Sequence, residues 1–307
     1  MQEFLLSVDG GGTKTEFCLS ALVTGESRHF LSGSTNYKIG EADAERTVLL
    51  EGVQHVFQEM NITASHIRGM VMGMSGMDSP EDHAHYMNIA LSTGIPKHRI
   101  YICNDSELAF YAKGTPPGLC IVAGTGSVAT GIATDQRKAR SGGWSNFISD
   151  EGSGSWIGMQ ALRALLQYCD GYGPYSKVFD YFRSSFHATT FTELPHILSR
   201  FRVQDIAAAA KPVMEQAESG DSFCAGIVSQ AARLVARTAF SVFRKLDFEE
   251  EQTVDVVTVG SLFKSSLFTD SFMKNLCSMV PQDNFHFCGE VESPVLGGVT
   301  LAKILFP

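Results

Sequence analysis

The chain opens with a short apolar run, residues 5–8, that ends at Asp9 and three glycines. From 13 to 21 it then alternates, with Thr15, Phe17, Leu19 and Ala21 on one side and Lys14, Glu16, Cys18 and Ser20 on the other. A period of two is that of a strand, so the pattern predicts strand, glycine turn, strand. Between 41 and 60 the period lengthens, and Val48, Leu49, Val53, Val56 and Phe57 recur at helical spacing. The apolar stretch "GMVMGMSG" (69–76) predicts another strand. In "DSPEDHAHYMNIAL", Ser79 suits a cap, Pro80 the first helical position, and Glu81 and Asp82 the first turn, which predicts a helix. Residues 100–103 predict a strand, followed by Asn104, Asp105 and a third helix. Strands alternating with helices mark an α/β fold.

"KGTPPG" (113–118) has the composition of a linker. Directly after it, "LCIVAGTGSVATGIATD" repeats the opening plan of apolar strand, glycine turn and alternating strand. This predicts a duplicated α/β unit, with ligands in the cleft that two such domains create. "SGGWSNFISDEGSGSWIG" (141–158) reads as a glycine-rich aromatic loop entering a helix near Ser155. Residues 160–247 read as mostly helical, "TVDVVTVGSLFKSS" as a strand ending at Gly260 before a helix, and "SPVLGGVTLAKILF" as a final helix.

The 307 residues suffice for two ordinary domains. The net charge of −9, with no dense Lys/Arg cluster, argues against a nucleic-acid partner. No apolar stretch reaches the roughly 18 residues of a membrane helix, and the N-terminus lacks the basic, cleavable pattern of a signal peptide. The seven cysteines form no CxxC pair and several lie in apolar runs, which predicts free thiols and a cytoplasmic location. His83 and His85 are two apart, so on a helix they face different ways and read as surface residues rather than a metal pair.

The two glycine turns carry the candidate chemistry. A P-loop or a dinucleotide fingerprint needs a helix after its glycines, and here a strand follows. Gly10, Gly11 and Gly12 allow backbone N–H groups to converge on an anion, although a plain hairpin turn has the same composition. Asp9 would repel bare phosphate and fits a divalent cation between the two, while Thr13 adds a hydroxyl and Lys14 reads as a solvated bystander. "AGTGS" (123–127) is a second cradle without an acid. Asp105 reads as a general base or as a helix cap; one of Asp150 and Glu151 reads as a ligand of substrate hydroxyls and the other equally as a cap; Asn36 is a ligand contact or a turn residue. Gly260 allows close approach of a flat ring or marks an ordinary strand–helix junction.

Taken in order, "VDGGGTKT", "STNY", "CNDSELAF", "VAGTGS", "SGGWSNFISDEGS" and "VGSLFKS" resemble the sugar kinase/actin/Hsp70 ATPase superfamily. Within it they resemble the N-acetylglucosamine kinase-like branch of the BadF/BadG/BcrA/BcrD ATPases, over residues 5 to about 300. The resemblance implies two ribonuclease-H-like, actin-like ATPase domains with a nucleotide cleft between them: 1–116, joined by a C-terminal helix at about 293–307, and 117–292. It implies ATP and Mg²⁺, with Asp9 as the metal anchor acting through water. Gly10, Gly11, Gly12 and Thr13 match the first phosphate motif, and Gly124, Thr125, Gly126 and Ser127 the second. Gly260 and Ser261 match the adenosine motif, although a serine stands where a second glycine is usual. Asp105 matches the catalytic base, and Asn36, Ser75, Asp105, Gly143, Trp144 and Asp150 match sugar contacts.

The implied activity is ATP-dependent phosphorylation of an amino sugar, expected at the 6-hydroxyl, with N-acetylglucosamine, N-acetylmuramic acid or glucosamine as acceptor. A homodimer is the assembly common in that branch. Tyr37 and Lys38, after "TN", leave the preference for a sugar substituent open. The rival readings are a dehydratase-activating ATPase, which would need an iron–sulfur cluster on cysteine thiolates, and a sensor that binds ATP or sugar without transfer.

Overall fold

The computed structural model describes residues 2–36, 43–145, 148–248, 253–280 and 284–307; Tyr37, Lys38 and Glu41 lie outside them. The chain forms two compact units, Met1–Thr115 with Val291–Pro307, and Pro116–Glu290.

The first unit starts with β1 (Phe4–Gly10) and β2 (Thr15–Ala21), joined by the glycine turn, and continues into β3 (Ser27–Ser32). Next come α1 (Ala44–Glu59), β4 (Ile67–Met74), α2 (Pro80–Leu91), β5 (Ile100–Asn104) and α3 (Asp105–Lys113). The sheet order is β3-β2-β1-β4-β5. The first three strands are antiparallel, and β1, β4 and β5 are parallel. The expected cap of α2 forms: Ser79 Oγ accepts from Asp82 N at 3.1 Å, and the Asp82 carboxylate accepts from Ser79 N at 2.9 Å. His83 is exposed, whereas His85 Nε2 lies 2.9 Å from the buried Glu45 carboxylate on α1 and ties the two helices together. Strand β3 has no counterpart in the sequence reading, because its outer-edge residues are mostly exposed and carry no apolar alternation.

The second unit repeats this plan with β6 (Gly118–Ala123), β7 (Ser127–Ile132) and β8 (Lys138–Gly142). Six helices follow: α4 (Gly154–Cys169), α5 (Val178–Ser185), α6 (Leu194–Leu198), α7 (Val203–Ala208), α8 (Ala210–Glu218) and α9 (Ser222–Lys245). The unit closes with β9 (Val254–Val259), α10 (Ser266–Cys277) and β10 (Phe285–Glu290). Its sheet order, β10-β9-β6-β7-β8, is that of the first unit. The part of "SGGWSNF" expected to be loop begins inside β8, and a short 3₁₀ turn, Ser261–Lys264, precedes α10. Leu119, Ile121 and Ala123 of β6 pack with Val235, Ala239 and Val242 of α9 in one apolar core. That burial is the main force holding the sheet to its helices.

The last helix, α11 (Pro294–Leu305), packs on β1 and α3 of the first unit. A Cβ on Gly298 would stand 2.0 Å from Ser7 Oγ, and one on Gly297 1.8 Å from the Leu108 carbonyl, so only glycine allows this approach. The helix also corrects the reading of β2. Alternation implied one covered face, yet Cys18 and Ser20 are buried as well as Phe17 and Leu19. Cys18 packs against Val295 and Val299 of α11.

Candidate active site

In the first unit the parallel strands end in register. Gly10 pairs with Met74, and Met74 with Asn104. The next residues, Gly11, Ser75 and Asp105, therefore line one edge of the sheet, the carboxyl edge where ligands of α/β sheets bind. Gly11 N donates to the Lys14 carbonyl at 3.0 Å, which closes the turn, and Ser75 N donates to the Gly10 carbonyl at 2.8 Å. A Cβ on Gly10 would clash with Met74 and with Thr35 Oγ1. Thr35 N donates to the Gly11 carbonyl at 3.1 Å, while Tyr86 Oη donates to the Thr35 carbonyl at 2.8 Å, and these bonds bring the segment carrying Asn36 to the turn. The Asn36 amide lies beside Gly76. Gly12, Thr13 and Lys14 are exposed.

Asp105 does not cap α3. Asn104 does, its side-chain oxygen accepting from Ser106 N at 3.1 Å and from Ser106 Oγ at 2.8 Å. Asp105 is thereby the first helical residue, half-buried at the sheet edge. It acts on Asp9. Burial pushes the Asp9 carboxyl up to about 7, helped by the negative charges of Asp105 and Glu16 and opposed by Lys14. An acidic group held at such a value fits a site that receives a cation. Asp9, Gly10, Gly11, Gly12, Thr13, Asn36, Ser75 and Asp105 are thus gathered in the first unit.

In the second unit the turn after β6 rests on the start of α4. Gly154 N donates to the Gly124 carbonyl at 2.7 Å, and Ser155 N and Oγ donate to the Thr125 carbonyl at 3.1 and 2.8 Å. Ser153 caps α4, accepting from Trp156 N at 3.2 Å, so neither Asp150 nor Glu151 is the cap. Ser127 is buried, and its hydroxyl donates to the Glu151 carbonyl at 2.9 Å. Thr125 is exposed. Gly260 sits at φ +112°, where a Cβ would lie 2.4 Å from the Ala123 carbonyl. This close approach sets the turn at 123–127 beside the one at 260–261, side by side at the carboxyl ends of β6 and β9.

A cavity of about 630 Å³ opens from both turns, lined by Gly124, Thr125 and Ser261 on one side and by Ala207, Ala208 and Met214 on the other. Lys211, Glu215 and Lys264 stand around it. The sequence reading took residues 160–247 only as mostly helical and missed the wall from α7 and α8. Its signal was the run of alanines at 207–210, a stretch of low relief.

Gly143, Trp144 and Asp150 follow β8. The Trp144 ring is 67% exposed, and the Arg140 guanidinium covers it at 4.5 Å. Asp150 is only 8% exposed. Burial raises its carboxyl above the usual range, while backbone hydrogen bonds from Ser145 and Ser127 oppose the shift. One of its oxygens, Oδ1, is buried with no hydrogen-bond partner among the described residues. An unmet buried acceptor is costly, and a ligand hydroxyl would satisfy it.

The profile of the BadF/BadG/BcrA/BcrD ATPase family matches residues 6–302. The N-acetylmuramic acid/N-acetylglucosamine kinase of Clostridium acetobutylicum is 27% identical over 282 residues, covering 89% of this chain and 90% of its own. The N-acetyl-D-glucosamine kinase of Dictyostelium discoideum is 26% identical over 316 residues, covering 98% of each chain. In fold, the chain is similar to the crystal structure of a proposed N-acetylglucosamine kinase from Chromobacterium violaceum, with a TM-score of 0.73 at 21% identity over 98% of this chain and 99% of that one. No helix among the described residues is long and apolar enough to cross a membrane.

Proposed function

The chain belongs to the BadF/BadG/BcrA/BcrD ATPase family, and on that footing we propose that it is an ATP-dependent amino-sugar kinase that phosphorylates the 6-hydroxyl of N-acetylglucosamine or a close relative. The observation that carries the reading is the carboxylate of Asp105, the first residue of α3, at the sheet edge where its charge acts on Asp9. The two relatives, both named as kinases of this sugar class, give the substrate.

Phosphoryl transfer is chiefly positioning and charge stabilisation. Asp105 accepts the proton of the attacking sugar hydroxyl, whose oxygen bonds to the γ-phosphorus in line as the bond from that phosphorus to the β,γ-bridging oxygen breaks and ADP leaves. Gly12 and Thr13 in the first turn and Thr125 and Gly126 in the second hold phosphate oxygens with backbone N–H groups and the two threonine hydroxyls, while Gly11 N and Gly124 N close the turns themselves. Ser127 acts from behind, holding Glu151. The N-terminus of α4 under the second turn adds a favourable field for phosphate. Adenosine occupies the 630 Å³ cavity, with its ring on Ala207, Ala208 and Met214 and its ribose toward Gly260 and Ser261. Asn36, Ser75, Gly143, Trp144 and Asp150 contact the sugar, and Asp150 Oδ1 accepts one of its hydroxyls.

The cluster of Asp9, Asp105 and Glu16 charges fits a dication. Mg²⁺ arriving with ATP would be held by Asp9 through water and would neutralise phosphate charge. None of the seven cysteines is in a disulfide, which supports a reducing, cytoplasmic setting. Purified protein with Mg-ATP is expected to phosphorylate N-acetylglucosamine, N-acetylmuramic acid or glucosamine in preference to glucose. A panel with no acceptor above the background of ATP hydrolysis contradicts the assignment.

A further inference from the structure

The opposite edge of the second unit's sheet holds a constellation that the kinase chemistry does not use. Asp255 lies on β9, and His286 and Cys288 lie on the edge strand β10. Asp255 and His286 are direct partners across the parallel pair. Residues two apart on a strand share a face, so His286 and Cys288 stand together while Phe285 and Phe287 pack on the apolar core. The ladder slips between Phe287 and Gly289, a bulge at Cys288.

The three ligand atoms lie within 4.8 Å of one another. His286 Nδ1 is 2.8 Å from Asp255 Oδ1 and 3.5 Å from Cys288 Sγ. A Cys–His–Asp relay would use both ring nitrogens. Here thiol and carboxylate meet the same nitrogen, which carries at most one proton, so the group converges on a point instead of passing a proton through the ring. Thiolate, imidazole and carboxylate together are a zinc donor set. Zinc bonds of about 2.0–2.3 Å in a tetrahedron place ligand atoms roughly 3.3–3.7 Å apart. The sulfur–nitrogen separation is already in that range, and the oxygen–nitrogen one needs to open by roughly half an ångström. The imidazole side chain is 65% exposed, so the fourth position is open to water.

We propose that Asp255, His286 and Cys288 bind a single Zn²⁺ that staples β10 to β9 at the bulge. Binding displaces the thiol proton of Cys288 to solvent and keeps His286 neutral, so affinity rises with pH.

The test uses the full chain, stripped with chelator, and Co²⁺ and Zn²⁺ themselves as probes. One Co²⁺ per chain is expected, with a thiolate-to-cobalt charge-transfer band that Zn²⁺ abolishes. Cys288→Ser is expected to lose the band, whereas Cys277→Ser keeps it. His286→Ala, at an exposed position that leaves folding intact, is expected to weaken Co²⁺ binding by at least about a hundredfold. Zn²⁺ at a hundred times its Kd is expected to raise the Tm by roughly 5–10 °C in the wild type and not in His286→Ala. No stoichiometric binding, a band that survives Cys288→Ser, or wild-type affinity in folded His286→Ala overturns the site.

Discussion

The two units share one frame and differ in what they hang on it. Both sheets have the same strand order, and each carries a glycine turn after its first strand. In the first unit that turn follows Asp9, and a second carboxylate, Asp105, stands two strands away at the same edge. In the second unit the corresponding turn has no acid and is braced by the first N–H groups of α4. The helix that follows each edge is also started differently. Asn104 caps α3 and leaves a carboxylate in the first turn, while Ser153 caps α4, whose first N–H groups donate to the carbonyls of the glycine turn. In the proposed function, one frame would serve proton and cation chemistry in one copy and nucleotide binding in the other. The difference lies in side chains at strand ends and in the helices between the third and fourth strands, α1 among the described residues of the first unit and α4 to α9 in the second.

If this contrast is right, the largest effect comes from the acid that only the first unit has. Asp105→Asn is expected to lower kcat by about 10²–10⁴ with ATP affinity unchanged, read by steady-state kinetics and nucleotide titration. Asp9→Asn separates stability from function. The native carboxyl is raised, so its contribution to stability is fully present below the ordinary value near 3.8 and is lost as pH rises through about 7. The amide escapes that loss. Denaturant melts are expected to show the variant more stable by roughly 2–4 kcal/mol at pH 8 and equal to the wild type at pH 3, and assays to show impaired transfer.

In the second unit, Gly260→Ala forces a Cβ against the Ala123 carbonyl at positive φ. A stability loss of about 1–3 kcal/mol is expected, with a raised KM for ATP that exceeds any change for the sugar. The smallest effect is Ala208→Leu, which fills part of the cavity wall. It is expected to weaken ATP by about tenfold, or ~1.4 kcal/mol, and to leave sugar affinity alone.

The strand–glycine–strand units were legible because a short apolar run writes the first strand, alternation the second and glycine the turn. Edge strands β3 and β8 were not, since their exposed and half-exposed residues write no period, and β10 carries only a brief alternation, Phe285 and Phe287 around His286, before its bulge. The capping at Asn104-Asp105 could not be decided from sequence, because both side chains are able caps and only the backbone reveals which one is outside the helix. The cavity wall from α7 and α8 was hidden for a different reason. It reaches the turn at Gly124 by tertiary packing across some eighty residues of chain, and no local pattern records that. The Asp255, His286 and Cys288 group was missed likewise, because a search for paired cysteines passes over a ligand set split between two strands.

The division between the units is tested most directly by titrating Asp105→Asn and Ala208→Leu calorimetrically, each with a non-hydrolysable ATP analogue and with N-acetylglucosamine, alongside single-turnover transfer. The account predicts that Asp105→Asn binds the nucleotide as the wild type does and transfers phosphate about 10²–10⁴-fold more slowly, while Ala208→Leu loses nucleotide affinity and keeps its sugar affinity. Wild-type transfer by Asp105→Asn, or equal loss of both ligands in Ala208→Leu, would contradict it.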